Sequence, residues 1–103
     1  MIKTYKIAHI REQGQDMIIF PLDRSFGNLS ASNQNAELDN LERAAHNARL
    51  AGRAVCYWQQ GSQTRFIGPP QWKPFLQCFT FQTVLSLVNK KLTVDFGQRA
   101  NIA

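Results

Sequence analysis

Short apolar runs separated by turn residues divide the first part of the chain into a strand–turn–strand unit. Residues 2–10 alternate loosely and are rich in β-branched and aromatic side chains, which predicts a strand. Residues 17–20 form a continuous apolar run, typical of a strand that is covered on both faces. The turn between them contains Gly14, which can take a positive φ, and Pro21 ends the second strand because it has no N–H to donate. The pattern predicts a first hairpin.

The next segment has the period of an amphipathic helix. Its apolar positions recur at steps of three and four: Leu38, Leu41, Ala45 and Ala48. Ser30 or Ser32 is the expected N-cap, because a side-chain oxygen there accepts from the free N–H groups of the first turn. Gly52 lies where a left-handed residue would close the helix. The many alanines indicate close packing across a sheet.

The pattern then repeats. Residues 53–58 and 64–67 predict two strands around a Gly61 turn, and Gly68-Pro69-Pro70 stops the second one. Thr80 is the expected N-cap of a second helix with Lys90 and Lys91 in its last turn. Its apolar stripe is Phe81, Leu85, Val88 and Leu92.

These elements predict an α+β fold in the order ββαββα, with residues 93–96 as a candidate short last strand. We expect a mostly antiparallel sheet made of two hairpins, with both helices packed on one face. Residues 1–96 would form a single domain, and residues 97–103 a flexible C-terminal tail.

Charge divides the same chain unevenly. Residues 1–42 contain four basic and six acidic side chains, a net of −2, whereas residues 43–103 contain eight basic side chains and one acid, a net of +7. A patch that binds phosphates or carboxylates needs several cations without interspersed acids. The second half of the chain therefore predicts a surface for a polyanion.

We interpret the protein as a small non-enzymatic binding module with a basic, aromatic-containing face. Its partner would be a nucleic acid or an acidic protein. The residues predicted to form this face are Arg53, Arg65, Lys73, Lys90 and Lys91 for charge, and Trp58 and Trp72 for stacking. The alternative is structural: Trp72 and Phe75 would fold back into the core, and the cations would serve helix ends and solvated faces.

A second hypothesis is a protein–protein or homodimerisation module. Residues 2–10 contain Lys3 and Lys6 but no proline, so this strand could lie at a sheet edge and recruit a partner strand.

The third hypothesis is a small enzyme that uses His9 with Glu12, Asp16 or Asp23, but no second catalytic partner occurs at a diagnostic spacing. There is no nucleophile elbow, no glycine-rich phosphate loop and no set of zinc-ligand spacings, so we expect no metal and no cofactor. Cys56 and Cys78 are expected to be buried, reduced thiols.

Apolar runs are too short to cross a bilayer, and residues 1–6 lack a signal-peptide core. These features predict a cytoplasmic protein with no membrane partner. The small size and basic balance are typical of bacterial accessory proteins.

Overall fold

The computed structural model describes residues 2–95, which form a mixed α+β fold and confirm the predicted class. The described elements are β1 (Ile2–Glu12), β2 (Gln15–Pro21), α1 (Ala31–Asn47), β3 (Arg53–Gln60), β4 (Gln63–Ile67), α2 (Lys73–Leu76), α3 (Phe81–Leu87) and β5 (Lys90–Asp95). Short 3₁₀ helices span Arg24–Asn28 and Pro70–Trp72. The predicted flexible tail, residues 97–103, lies outside the described residues.

The sheet of residues 2–95 has the strand order β4-β3-β2-β1-β5. Both predicted hairpins are present, β1 with β2 and β3 with β4. The two hairpins meet through β2 and β3, which are parallel. A parallel pair needs a long crossover connection, and α1 supplies it. The prediction of a mostly antiparallel sheet of two hairpins is therefore correct for three of the four strand pairs but misses this parallel junction.

The helices lie on opposite faces of the sheet, so the prediction that both pack on one face was wrong. On one face, Leu41 and Ala45 of α1 pack in a core cluster with Ile18 and Cys56. On the other face, Leu76 of α2 and Val84 of α3 pack in a second cluster with strand residues of the opposite parity: Met17, Ile19, Val55 and Tyr57. Since β2 and β3 are apolar at both parities, each face needs its own cover.

Helix α1 begins as predicted and ends earlier than predicted. The Ser30 side chain accepts a hydrogen bond from the Asn33 N–H at 3.1 Å. At the other end, Arg49 takes the left-handed conformation with φ 66°. The Leu50 N–H donates to the Ala45 carbonyl at 3.0 Å, which completes a Schellman closure. Gly52 lies beyond this closure and has a different role.

The second predicted helix is shorter than predicted, and the residues of its predicted last turn belong to a strand. Helix α3 ends at Leu87, and Lys90, Lys91 and Leu92 belong to β5. The change from helix to strand occurs at Asn89. Its side-chain amide forms two hydrogen bonds with the backbone of His9, each 2.9 Å long. This amide imitates a strand residue and starts the pairing of β5 with β1. Lys90 and Lys91 therefore do not stabilise a helix terminus.

A hydrogen bond from Tyr57 connects the sheet to α2. Its ring is fully buried, and its hydroxyl donates to the Leu76 carbonyl at 2.7 Å. Burial raises the pKa of this phenol above its ordinary value, so the hydroxyl remains a donor.

We expect Tyr57→Phe to lower the free energy of unfolding by about 1–3 kcal/mol, because the buried Leu76 carbonyl would lose its partner. Urea unfolding followed by circular dichroism measures this loss. A change below about 0.5 kcal/mol would show that water replaces the hydroxyl.

Candidate functional site

A groove with a volume of about 730 Å³ follows the outer edge of β4. This volume lies in the range of roughly 300–1,000 Å³ that is usual for ligand pockets. Strand β4 pairs with β3 on one side only, and within residues 2–95 no strand pairs with its other side. The backbone of an edge strand offers N–H and C=O groups to an incoming chain. We use the name β4 groove for the groove lined by Asn35, residues 64–70, Lys73, Gln77, Phe79 and Thr80.

The β4 groove is lined by side chains from both faces of the strand. Arg65 and Ile67 lie on the α1 face, where Asn35 of α1 also lines the groove. Thr64 and Phe66 lie on the face of α2 and α3. The groove therefore follows the strand edge itself instead of lying on one surface of the sheet.

The wall on the α2 and α3 side is fixed to β4 by local contacts. The Thr64 hydroxyl accepts from the Phe81 N–H at 3.0 Å, which holds the first turn of α3 beside the strand. Phe66 and Phe79 are half-buried and pack on the second core cluster. Their rings form an aromatic floor where this wall of the groove meets the core. Lys73 of α2 is exposed and contributes a positive charge to the same wall.

The close turn after β4 depends on Gly68. A Cβ at this position would lie 3.0 Å from a methyl carbon of the fully buried Val55, so glycine lets the chain pass close to the sheet. Pro69 and Pro70 then direct the chain into the short helices that carry Lys73. The sequence Gly-Pro-Pro, predicted only to stop a strand, also shapes one end of the groove.

The predicted basic residues do not gather on one face. Arg65 and Lys73 both line the β4 groove, whereas Lys90 and Lys91 lie on β5 at the opposite edge of the sheet. Four strand-to-strand steps separate these edges, about 19 Å. Arg53 is bound by an acid from the first half of the chain: its Nε lies 3.0 Å from Oε1 of Glu42. The same carboxylate oxygen accepts from the Ala54 N–H.

Both tryptophans are buried, which disagrees with their predicted role as exposed stacking platforms. Trp58 is 5% exposed and packs against Phe26 with ring centroids 5.0 Å apart on the α1 face. Trp72 is 9% exposed and packs in the cluster on the other face. The structural alternative holds for Trp72, because a three-layer fold of this size uses its largest rings to fill the space between helices and sheet.

His9 donates through Nε2 to the Ala51 carbonyl at 2.9 Å. The Asp16 carboxylate, one of its proposed partners, instead accepts two hydrogen bonds from Arg11, each 3.1 Å long. Within residues 2–95, no carboxylate is hydrogen-bonded to the His9 imidazole. In the described part of the chain, His9 is therefore not hydrogen-bonded to Glu12, Asp16 or Asp23, the carboxylates suggested as its partners.

The two cysteines have different environments. Cys56 is buried, and burial raises the pKa of its thiol far above the ordinary value, with the nearby Glu37 carboxylate adding to the effect. A thiol in this state is not a nucleophile at neutral pH. Cys78 is exposed, so the prediction that both thiols are buried was wrong for Cys78. It lies at the turn between α2 and α3, where the chain passes outside the core.

Strand β1 is an interior strand, so the prediction that it forms the recruiting edge was wrong. It pairs with β2 on one side and with β5 on the other. Of the residues 90–95 that cover it, the spacing of apolar side chains predicts 90–92 as the end of a helix, and 93–95 belong to the predicted short last strand.

Sequence reasoning missed Asn35, Phe66 and Phe79 as groove residues. One signal was available for β4: residues 63–67 contain neither proline nor lysine, the residues that usually block an edge.

No group of three or more His, Cys, Asp or Glu side chains in residues 2–95 could hold a metal ion. In the same part of the chain, no helix combines the length and the apolar character needed to cross a membrane. Comparison with known proteins adds no relative, since no family model, no curated protein and no solved structure matches the chain.

Proposed function

We propose that the protein is a binding module that takes an extended acidic segment of a partner protein along β4. The observation that carries this proposal is the β4 groove, which is lined by both faces of an edge strand and contains two cations and an aromatic floor. Strand addition of this kind uses backbone hydrogen bonds for affinity and alternate side chains for specificity.

The alternation of side chains along β4 determines which positions of the partner segment should be acidic and which should be apolar. Residues directly opposite each other on paired strands point to the same face. The partner residue opposite Arg65 would therefore lie on the α1 face and would be acidic. The neighbouring partner residue would lie against Phe66 and Phe79 and would be apolar. The preferred segment alternates acidic and apolar side chains. Lys73, on the wall of α2 and α3, adds a positive charge to the groove that favours an acidic segment as a whole.

The contrast between the two sheet edges supports β4 as the docking strand. Strand β5 contains two consecutive lysines, and lysines on an edge discourage pairing with another chain. Strand β4 has Arg65 as its single charged residue. An acidic partner neutralises this charge, whereas an uncharged strand would leave it without a counterpart.

A second copy of the chain is a poorer occupant of the β4 groove. Arg65 is the central residue of the five in β4. An antiparallel, two-fold pairing of β4 with itself would place Arg65 directly opposite its own copy, and like charges in that position are destabilising. Charge complementarity therefore favours an acidic partner over a homodimer.

The probe for this proposal is a seven-residue capped peptide of alternating glutamate and valine, titrated into ¹⁵N-labelled protein. We expect the amide resonances of residues 63–67 to shift. The variant Arg65→Gln/Lys73→Gln should bind about tenfold more weakly or worse, equivalent to about 1.4 kcal/mol. A peptide of alternating lysine and valine should not bind.

The matched control is Lys6→Gln/Lys91→Gln, which removes two charges far from the β4 groove and should leave peptide affinity unchanged. Equal losses in the two double variants would mean that only net charge matters and would refute the assignment to β4. Light scattering that shows a dimer, with protected β4 amides in the free protein, would assign the edge to a second copy instead.

A further inference from the structure

Four of the five lysines of the chain lie on the edge strand β5 and its neighbour β1, on the side of the sheet opposite the β4 groove. Lys6 lies directly opposite Lys91, and the next pair on the same face is Thr4 opposite Thr93. The two threonine hydroxyl oxygens are 3.2 Å apart. We call these four residues the lysine–threonine array.

The array is an open part of the sheet surface. All four side chains are exposed, and they lie on the face of the sheet that α3 covers further along β1. Lys90 is on the opposite face of β5, because successive strand residues point in opposite directions. The sequence therefore contains two adjacent lysines, but only one of them belongs to the array.

The pairing of Lys6 with Lys91 is unfavourable for the sheet alone, since like charges directly opposite each other destabilise a strand pair. Among the residues whose side chains the structure describes, neither lysine forms an ion pair. One lysine on β5 would be enough to block the edge, and Lys6 is on an interior strand. Asp95 pairs in register with Ile2, two residues beyond Thr93 on β5 and about 13 Å along that strand from Lys91.

We propose that the lysine–threonine array binds the phosphate backbone of double-stranded nucleic acid. Lysine ammonium groups and threonine hydroxyls are among the common donors to phosphate oxygens. None of the four side chains is aromatic, so the array has no platform for stacking unpaired bases. It also has no arginine, asparagine or glutamine to read base edges. Binding at this surface is therefore independent of base sequence and depends on salt.

An anionic membrane is the other surface that carries phosphates. Ile2, which is 68% exposed, lies beside the array on the same face. Adsorption to a bilayer normally needs an amphipathic element with several large apolar side chains beside the cations. A single isoleucine next to two hydroxyls favours the nucleic-acid backbone, and vesicles provide a direct test.

The experiment is a fluorescence anisotropy titration of a labelled 20-base-pair duplex with the full chain at several NaCl concentrations. We expect the variant Lys6→Gln/Lys91→Gln to bind about tenfold more weakly or worse at 50 mM NaCl. Its slope of log affinity against log salt should be smaller in magnitude by about 1.8, since each phosphate contact contributes about 0.9. Its melting temperature should be equal to or above that of the wild type, because the repulsion is removed.

The charge-matched control is Arg65→Gln/Lys73→Gln, which should retain most of the duplex affinity. Equal losses in the two double variants, or no duplex binding by the wild type at 20 mM NaCl, would overturn the proposal. Stronger binding to vesicles containing phosphatidylserine than to the duplex, lost in Lys6→Gln/Lys91→Gln, would assign the array to a membrane and overturn it as well. These outcomes do not depend on whether the β4 groove binds an acidic segment.

Discussion

Replacing Gly52 with alanine is expected to lower the free energy of unfolding by about 2–6 kcal/mol, from backbone strain and overpacking together. Gly52 has φ +119°, a conformation that side-chain-bearing residues rarely adopt. A Cβ there would also lie 2.6 Å from the Asp16 carbonyl carbon, which belongs to β2. The substitution would force β2 and β3 apart where their parallel pairing begins.

Urea unfolding followed by circular dichroism measures this effect, and Gly61→Ala is its matched control. Gly61 also has a positive φ, +63°, but a Cβ there would meet nothing within 4 Å. Gly61→Ala should therefore lose only the backbone contribution, about 1–2 kcal/mol. Similar losses for the two variants would show that the contact between residue 52 and β2 relaxes without difficulty.

Replacing Trp58 with alanine should lower the free energy of unfolding by about 3–5 kcal/mol, as is usual for large buried rings. Trp58 is 5% exposed and fills the space between β3 and the 3₁₀ helix that carries Phe26. The chain fits closely around the indole, since a Cβ on Gly27 would lie 2.7 Å from its Nε1. A loss of this size is a large share of the roughly 5–15 kcal/mol that stabilises a small domain.

The control for Trp58 is its cross-strand partner Arg65, which is exposed. Arg65→Ala should change stability by no more than about 0.5 kcal/mol, while it weakens binding of the glutamate–valine peptide. The opposite pattern, a stable Trp58→Ala protein with a specific loss of ligand binding, would restore the interpretation of Trp58 as a surface stacking residue.

Local features of the sequence predicted the local elements well. Gln13 and Gly14 both have positive φ in the β1–β2 turn, as a tight hairpin requires. Ser30 and Thr80 both cap helices through their side chains. These predictions succeeded because turns and caps depend on residues a few positions apart.

Predictions that depended on distant residues were less successful. Residues 88–92 have helical spacing, yet pairing with β1 and the Asn89 amide make the end of this segment a strand. Tertiary pairing overrides a weak local preference in such short segments. The pairing of β5 with β1 makes β1 an interior strand, and it places Lys90 and Lys91 at the sheet edge opposite Arg65.

The candidate site shows the same division. The excess of cations after residue 42, which includes Arg65 and Lys73, predicts an anionic partner, and that partner stays a prediction. It could not show that β4 would be an edge strand with Asn35 and Phe79 on either side of it. It also could not show that Lys6 would face Lys91, because these residues come together only through strand register.

The order of its amino acids by itself determined the α+β class of this protein, its two hairpins, its first helix and the excess of cations in its second half. Only the tertiary structure decided the parallel contact between the hairpins, the burial of both tryptophans and the separation of Arg65 and Lys73 from Lys90 and Lys91, which lie at opposite edges of the sheet. The physical reason is range: capping, turn conformation and periodicity act within one or two turns of chain, whereas strand order and sheet coverage depend on contacts between residues far apart in sequence.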